Sequence, residues 1–154
     1  AICVMAQKMQ VVVREFVEAD REGLRHLFVI SRAAAFTWVA AGVHKLEDFD
    51  TNTAGERIVV AQQSCQPIGF ASVWEEDSFL HNLFVHPLHQ GMGVGTMLLA
   101  GCERYFSSVP TLKCLIANER AMRFFSPRAG ACAVRLQARK ARMFLWRRSA
   151  GAIN

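Results

Sequence analysis

Apolar and polar positions alternate along Val11–Phe16, with Val11, Val13 and Glu15 on one side and Val12 and Phe16 on the other, which predicts a first strand. The period then changes. Leu24, Leu27, Phe28 and Ser31 fall at i, i+3, i+4 and i+7, so a helix is predicted to about Ala35, with Asp20 as its N-cap. Val43–Asp50 reads as a second, short helix, and Asn52–Glu56, polar and containing Gly55, as a loop. Arg57–Gln62 and Pro67–Trp74 read as strands of a hairpin around Ser64-Cys65-Gln66, and Glu75–Ser78 as the next turn. Phe79–Val85 follows, with Phe79, His81, Leu83 and Val85 pointing one way and Leu80, Asn82 and Phe84 the other. Both sides are largely apolar, so this strand is expected to be covered on both faces.

Pro87 ends that strand, because proline cannot donate to a sheet ladder. Gln90, Gly91, Met92, Gly93, Val94 and Gly95 come next, and an apolar helix begins at Thr96 with Leu98, Gly101, Cys102 and Tyr105 on one stripe. Ser107, Ser108 and Pro110 stop it, and Leu112–Ala117 reads as another strand. Asn118 caps a further helix with Glu119 in its first turn, favourable beside the helix dipole. Near the end, Cys132, Val134 and Leu136 alternate with Ala133, Arg135 and Gln137, and Met143–Trp146 forms a last strand. The link Ala138–Ala141 holds no glycine, asparagine or proline, so it specifies no tight hairpin. Pairing within the chain and exchange with a second copy, a homodimer, both stay open.

The 154 residues suit one domain, with residues 1–9 as a frayed lead-in or tag remnant. With 52% hydrophobic and 20% charged residues the chain has the balance of a globular protein rather than a disordered one. No apolar run reaches the ~20 residues of a membrane span, and the start lacks the basic region of a signal peptide. Five scattered cysteines without a Cys-x-x-Cys pair suit reduced thiols in a cytoplasm better than disulfides or zinc. Residues 1–103 carry 7 Lys/Arg against 12 Asp/Glu, whereas residues 104–154 carry 11 Lys/Arg against Glu119 alone. The acidic part favours a cationic amine as partner. The basic part could serve phosphates or nucleic acid, but Phe144 and Trp146 beside Arg142, Arg147 and Arg148 match nucleic-acid modules only loosely, and no nucleic acid is expected.

Glycines at alternate positions directly before a helix leave backbone N–H groups bare at its N-terminus, a site for a phosphate-bearing ligand. A P-loop would need Gly-Lys-Ser/Thr, and a dinucleotide fingerprint Gly-x-Gly-x-x-Gly, and neither is present. Gln-x-x-Gly-x-Gly after a strand ending Leu-x-Val-x-Pro resembles motif A of the GCN5-related N-acetyltransferases, the GNAT family. Asn118, Ala121, Phe124 and Phe125 resemble the family's second signature, Asn-x-x-Ala-x-x-Phe-Tyr. The resemblance implies an α/β GNAT fold, a central mixed and mostly antiparallel sheet flanked by helices. It implies an acetyl-CoA-dependent N-acetyltransferase acting on a primary amine, small molecule or peptide, by direct attack. It places the cofactor on Leu83, Phe84, Val85, Gln90, Gly91, Met92, Gly93, Val94, Gly95, Thr96, Asn118, Ala121, Phe124 and Phe125.

Amine attack needs a base, a donor for the carbonyl oxygen and a proton for the departing thiolate. The resemblance assigns the donor to a backbone N–H near Leu83–Val85. His81, with an ordinary pKa of about 6.5, is the first candidate base, on the face assigned to Leu83 and Val85. Its strand resembles that of the serotonin N-acetyltransferases, His-x-His-x-Leu-x-Val-His, with Phe79 in place of the first histidine. Glu75 and Glu76 are the alternatives. Phe36 and Trp38, in the connection that forms an acceptor wall in the family, are acceptor candidates together with Trp74 and Phe79. Phe125 stands where the family has its thiolate-protonating tyrosine, which motivates a second reading: a catalytically weak or inactive module that binds acyl-CoA or a small cation. His81, His86 and His89 lack ligand geometry, and no metal is expected.

Overall fold

A computed structural model describes residues 10–37, 39–40, 42–115, 118–125, 135–136 and 141–145. Its strands are β1 (Val12–Glu15), β2 (Arg57–Gln63), β3 (Gln66–Trp74), β4 (Phe79–Val85), β5 (Thr111–Leu115), β6 (Arg135–Leu136) and β7 (Ala141–Leu145). They form one seven-stranded sheet in the order β1-β2-β3-β4-β5-β7-β6. Every pairing is antiparallel except the parallel one between β4 and β5. The helices are α1 (Arg21–Ala35), α2 (Asp48–Thr53), α3 (Val94–Cys102) and α4 (Glu119–Phe125).

The sheet separates two apolar cores. On one face Leu24, Leu27 and Phe28 of α1 and Phe49 of α2 meet Val60 and Phe70, with Phe84 packed against them. Their rings touch edge-on or tilted, with centroids 5.4 Å apart for Phe49–Phe70, 5.5 Å for Phe28–Phe84 and 5.9 Å for Phe70–Phe84. On the other face Leu98, Leu99 and Cys102 of α3 cover Val59, Ala61, Ala71, Val73 and Leu80. Burial pushes the Cys102 thiol up to about 12, so it is an inert core group. Among the described residues no helix is long and apolar enough to cross a membrane.

The α1 stripe is buried as its period predicts: Leu24, Leu27, Phe28 and Ser31 all face the core. Asp20, however, does not cap α1 with its side chain. Its carboxylate turns back to accept the Val17 N–H at 2.9 Å and both terminal nitrogens of Arg14 at 2.8 Å. The short helix α2 is displaced from the predicted Val43–Asp50 and takes in Asn52 and Thr53 of the predicted loop. Phe49 needs burial between Phe28 and Phe70. The Thr53 hydroxyl donates to the Phe49 carbonyl at 2.8 Å, and Asn52 Nδ2 donates to the Asp48 carbonyl at 2.8 Å, so polar residues close this turn of helix.

The β2–β3 hairpin turns at Ser64 (φ 51°) and Cys65 (φ 62°), both left-handed, the twist that two-residue hairpin loops require. The segment after α4 lies partly outside the described residues, as do 1–9, Trp38, Ser126 and Trp146. Within it, β7 pairs with β5 on one side and β6 on the other, and it starts at Ala141, two residues before the predicted strand.

Two irregularities of β4 matter for the site. First, Ser72 pairs with Asn82 and Val73 with Leu80, so His81 has no partner across the ladder and forms a β-bulge. The bulge breaks the alternation. Leu80, Leu83 and Val85 share the α3 face, while Phe84 packs on the α1 face. His81 is therefore not on the face of Leu83 and Val85 as strict alternation predicts. Second, among the described residues β4 and β5 pair at Phe79–Thr111 and Leu80–Leu112 and nowhere else.

Candidate functional site

Where β4 and β5 part, one edge of β4 is left open. The His86 N–H donates to the Ile68 carbonyl at 2.8 Å. With alternating antiparallel bonds, that register gives Phe84 and Asn82 the ladder bonds to β3 and turns the N–H groups of Leu83 and Val85 towards the gap. The Val85 carbonyl on that edge accepts from Gln90 Nε2 at 3.1 Å, which ties the glycine loop to the strand.

The loop reaches α3 through Gly91 (φ 76°) and Gly93 (φ 82°), both left-handed, and a Cβ at either would meet open space. Backbone conformation, not crowding, is what selects glycine there. The Met97 N–H donates to the Gly93 carbonyl at 3.1 Å, so α3 begins at Val94, two residues earlier than predicted. The amides of its first turn are consequently those of Val94, Gly95 and Thr96. Gly95 is glycine for a different reason. A Cβ there would lie 3.1 Å from the Phe124 ring, so α3 and α4 touch through it. Asn118 Oδ1 accepts the Ala121 N–H at 3.2 Å and caps α4, as predicted. Phe124 and Phe125 meet edge-to-face at 5.0 Å, and Phe125 is 9% exposed.

These parts enclose a cavity of about 380 Å³. All but one of the residues predicted to hold the cofactor line it; the exception is Met92, which is 68% exposed and turned away. The sequence reading missed Ser31 and Ala35 of α1, His89 and Arg120, which also line it. Ser31 falls on the buried stripe of α1, where nothing local separates a core position from a cavity wall. The Ser31 hydroxyl and His89 Nδ1 are buried with no partner among the described residues. Phe125 offers no hydroxyl. The Tyr105 hydroxyl instead donates to Glu15, and neither residue lines this cavity.

The candidate bases are separated by the fold. Glu75 pairs with Arg57 Nε at 2.8 Å, Glu76 is exposed on the same turn, and neither lines the cavity. His81 stands two residues from Leu83, on the bulge. Its Nδ1 lies 2.5 Å from Glu56 Oε1, and the Glu56 side chain is 5% exposed against 38% for His81. The Glu56 hydrogen bond raises the His81 pKa, opposed by burial and by the charge of Arg32. Glu56 Oε2 is buried without a partner among the described residues. The sequence gives no sign of this pairing, because Glu56 closes an ordinary polar stretch 25 residues earlier.

Of the acceptor candidates, Phe36 meets Phe84 at 6.5 Å and His44 at 6.4 Å between ring centroids. Phe79 lies 6.0 Å from the His81 ring, and Trp74 packs over Gly55, where a Cβ would lie 3.3 Å from its ring. Phe36 and Phe79 thus flank the β4 segment between the bulge and the cavity. Trp38 lies outside the described residues.

The model of the acetyltransferase (GNAT) family matches residues 20–130. Among solved structures, the chain is similar to PaiA N-acetyltransferase of Thermoplasma acidophilum, solved with coenzyme A, at a TM-score of 0.72 and 13% identity over 90% of this chain and 100% of that one. It is similar to YjaB of Escherichia coli, at 0.69 and 21% over 90% and 98% of the two chains. It is also similar to a GCN5-related N-acetyltransferase of Rhodopseudomonas palustris, at 0.67 and 20% over 87% and 94%. A search of curated proteins returned no match.

Proposed function

The chain belongs to the acetyltransferase (GNAT) family, and on that premise we propose that it moves an acetyl group from acetyl-CoA to a primary amine by direct attack, with His81 as base. The observation that carries the cofactor half is the convergence of the open β4 edge, the glycine loop and α4 on one cavity. The residues fit the group. Left-handed Gly91 and Gly93 present bare backbone, and the amides of Val94–Thr96 suit a pyrophosphate at a helix N-terminus. The groove between β4 and α4, floored by Leu83–Val85 and walled by Phe124 and Phe125, suits the slender pantetheine arm. When bound, acetyl-CoA supplies an acetyl group activated as a thioester.

The chain's own residues then divide the work. The Leu83 and Val85 N–H groups, free of β3 and β5, are donors for an oxygen that gains charge, and fixed donors in a dry groove stabilise such charge strongly. His81 accepts the amine proton, directly or through one water. Glu56 orients its ring by holding Nδ1, leaving Nε2 for the proton. Phe125 leaves α4 without a side-chain proton donor, so the last proton comes from solvent. The scattered cysteines support a reducing, cytoplasmic setting.

A thermal melt with and without acetyl-CoA, followed by thiol release over an amine panel, tests this. Ligand at about 100 times its dissociation constant adds ~2.7 kcal/mol, a rise of roughly 5–10 °C at this size. A shift with thiol release supports the reading. A shift without release across the panel points to the non-catalytic acyl-CoA-binding module instead. No shift removes both.

A further inference from the structure

Arg32 stands apart from the other arginines around it. Arg14, Arg21, Arg25 and Arg57 each end on a carboxylate: Asp20, Glu18 with Asp50, Asp50 again, and Glu75. The Arg32 guanidinium ends on two rings instead, 5.1 Å from the Phe28 centroid and 5.3 Å from that of Phe36. Its Nε is buried with no partner among the described residues. Asp48 is the acid whose charge acts on it, and Asp48 Oδ2 already accepts the Lys45 N–H at 2.8 Å. Burial pulls the Arg32 pKa down, yet a guanidinium keeps its proton in proteins. A half-buried cation is thus left incompletely compensated, an arrangement that costs stability unless something else completes it.

Its position says where that completion would come from. Arg32 follows Ser31 and precedes Ala35, both walls of the cofactor cavity. Phe36, on which it stacks, packs against Phe84 of β4 and against His44. His44 Nε2 is also buried without a partner among the described residues. On the other side Arg32 repels the proton of His81. One side of the proposed base is therefore held by the Glu56 carboxylate, and the other faces a cation and aromatic rings.

We propose that Arg32 receives a carboxylate of the acceptor, so that the amine acetylated here belongs to an amino acid rather than to a polyamine, an aminoglycoside or a simple alkylamine. The inference rests on the acetyl-transfer reading and narrows its acceptor. A planar carboxylate matches the guanidinium fork with two parallel hydrogen bonds. One negative charge also balances one guanidinium, whereas a phosphate dianion would leave charge uncompensated beside Phe28 and Phe36. The rings next to Arg32 suit an apolar or aromatic side chain on the same molecule.

The test compares phenylalanine, leucine and lysine, each with the amine left when its carboxylate is removed, and includes phosphoethanolamine. Thiol release should favour the amino acids by roughly 10–100-fold in kcat/KM. Arg32→Met should collapse that ratio to near one while acetyl-CoA still raises the melting temperature, and Arg32→Lys should restore part of it. Equal rates for an amino acid and its amine, a preference for phosphoethanolamine, or a ratio that survives Arg32→Met would overturn the proposal. A second readout needs no turnover: equilibrium binding of N-acetylphenylalanine and N-acetylphenethylamine in the presence of CoA. If acetyl-CoA binds but no amine releases thiol, the transferase reading fails and this arm still decides. Retention of the acid alone, lost in Arg32→Met, supports the carboxylate site; equal retention, or none, refutes it. Should Arg32→Met not fold, Arg32→Lys and the binding arm on the unaltered chain carry the decision.

Discussion

Glu56→Gln separates a charged pairing from mere packing, because it keeps the shape and a hydrogen-bond acceptor for His81 while removing the negative charge. The bond is short, 2.5 Å, and Glu56 is almost wholly buried, which places it among charge-assisted bonds worth roughly 1.5–3 kcal/mol. With the His81 side chain 38% exposed, water screens part of that, and about 1–2 kcal/mol is the expected loss. The sign of its pH dependence follows from the direction of the shift. Glu56 raises the His81 pKa above its unfolded value. The stabilisation is therefore complete below about pH 6.5 and disappears as pH rises through the folded value. Urea melts of the two proteins should differ by about 1–2 kcal/mol near pH 6 and converge near pH 9. In the rate profile a base must be unprotonated, so unaltered enzyme gains kcat/KM as pH rises through the raised value. Glu56→Gln should reach its plateau at lower pH, and the plateau should be lower because its base is weaker. A stability difference of the same size at pH 6 and pH 9 would show that Glu56 only fills space. An unmoved rate profile would remove the pair from the chemistry.

Three further substitutions probe the scaffold. Gly95→Ala places a Cβ 3.1 Å from Phe124; we expect a folded protein destabilised by about 1 kcal/mol and a clearly raised acetyl-CoA dissociation constant by calorimetry. Asn118→Ala removes the 3.2 Å cap on α4 and should cost about 1 kcal/mol in urea unfolding. Cys65→Gly relieves a left-handed residue, φ 62°, and should raise stability by up to about 1 kcal/mol, read as a higher melting temperature.

What the sequence shows of this site and what it hides divide along one physical line. The cofactor half depends on local features: where a strand stops, where glycines free the backbone and where the next helix starts. Each is written in neighbouring residues, so most cavity-lining residues of Gln90–Thr96 and Asn118–Phe125 could be read directly, apart from Arg120, the outward Met92 and the two-residue error in the start of α3. The bulge at His81 is not local in that sense. It is a mismatch of count between two strands, and the alternation of β4 reads the same with or without it. The partnership of Glu56 and His81, the placement of α2 by Phe49, and the turning back of Asp20 to Arg14 likewise depend on residues far apart or on competing bonds. Side-chain alternation alone put His81 on the wrong face, although it chose the right strand.

The same distinction governs charge. Summed along the chain, residues 1–103 are acidic, which favours a cationic acceptor. Paired in space, those acids are largely occupied. Asp20 faces Arg14, Glu18 and Asp50 face Arg21, Asp50 also holds Arg25, Glu75 holds Arg57, Glu15 holds Arg104, and Glu56 holds His81. Beside Phe36 and Phe84 what remains is the guanidinium of Arg32, because a protonated His81 is offset by Glu56. A field that falls off within about 8–10 Å in salt is set by these nearby residual charges, not by a total over the chain. An ammonium entering there meets the charge of Arg32, which favours the neutral amine, and it can hand its proton only to the unprotonated His81 ring. A carboxylate on the same molecule would offset the repulsion its ammonium meets on the way in, an advantage that the proposed amino-acid acceptor would have over a polyamine.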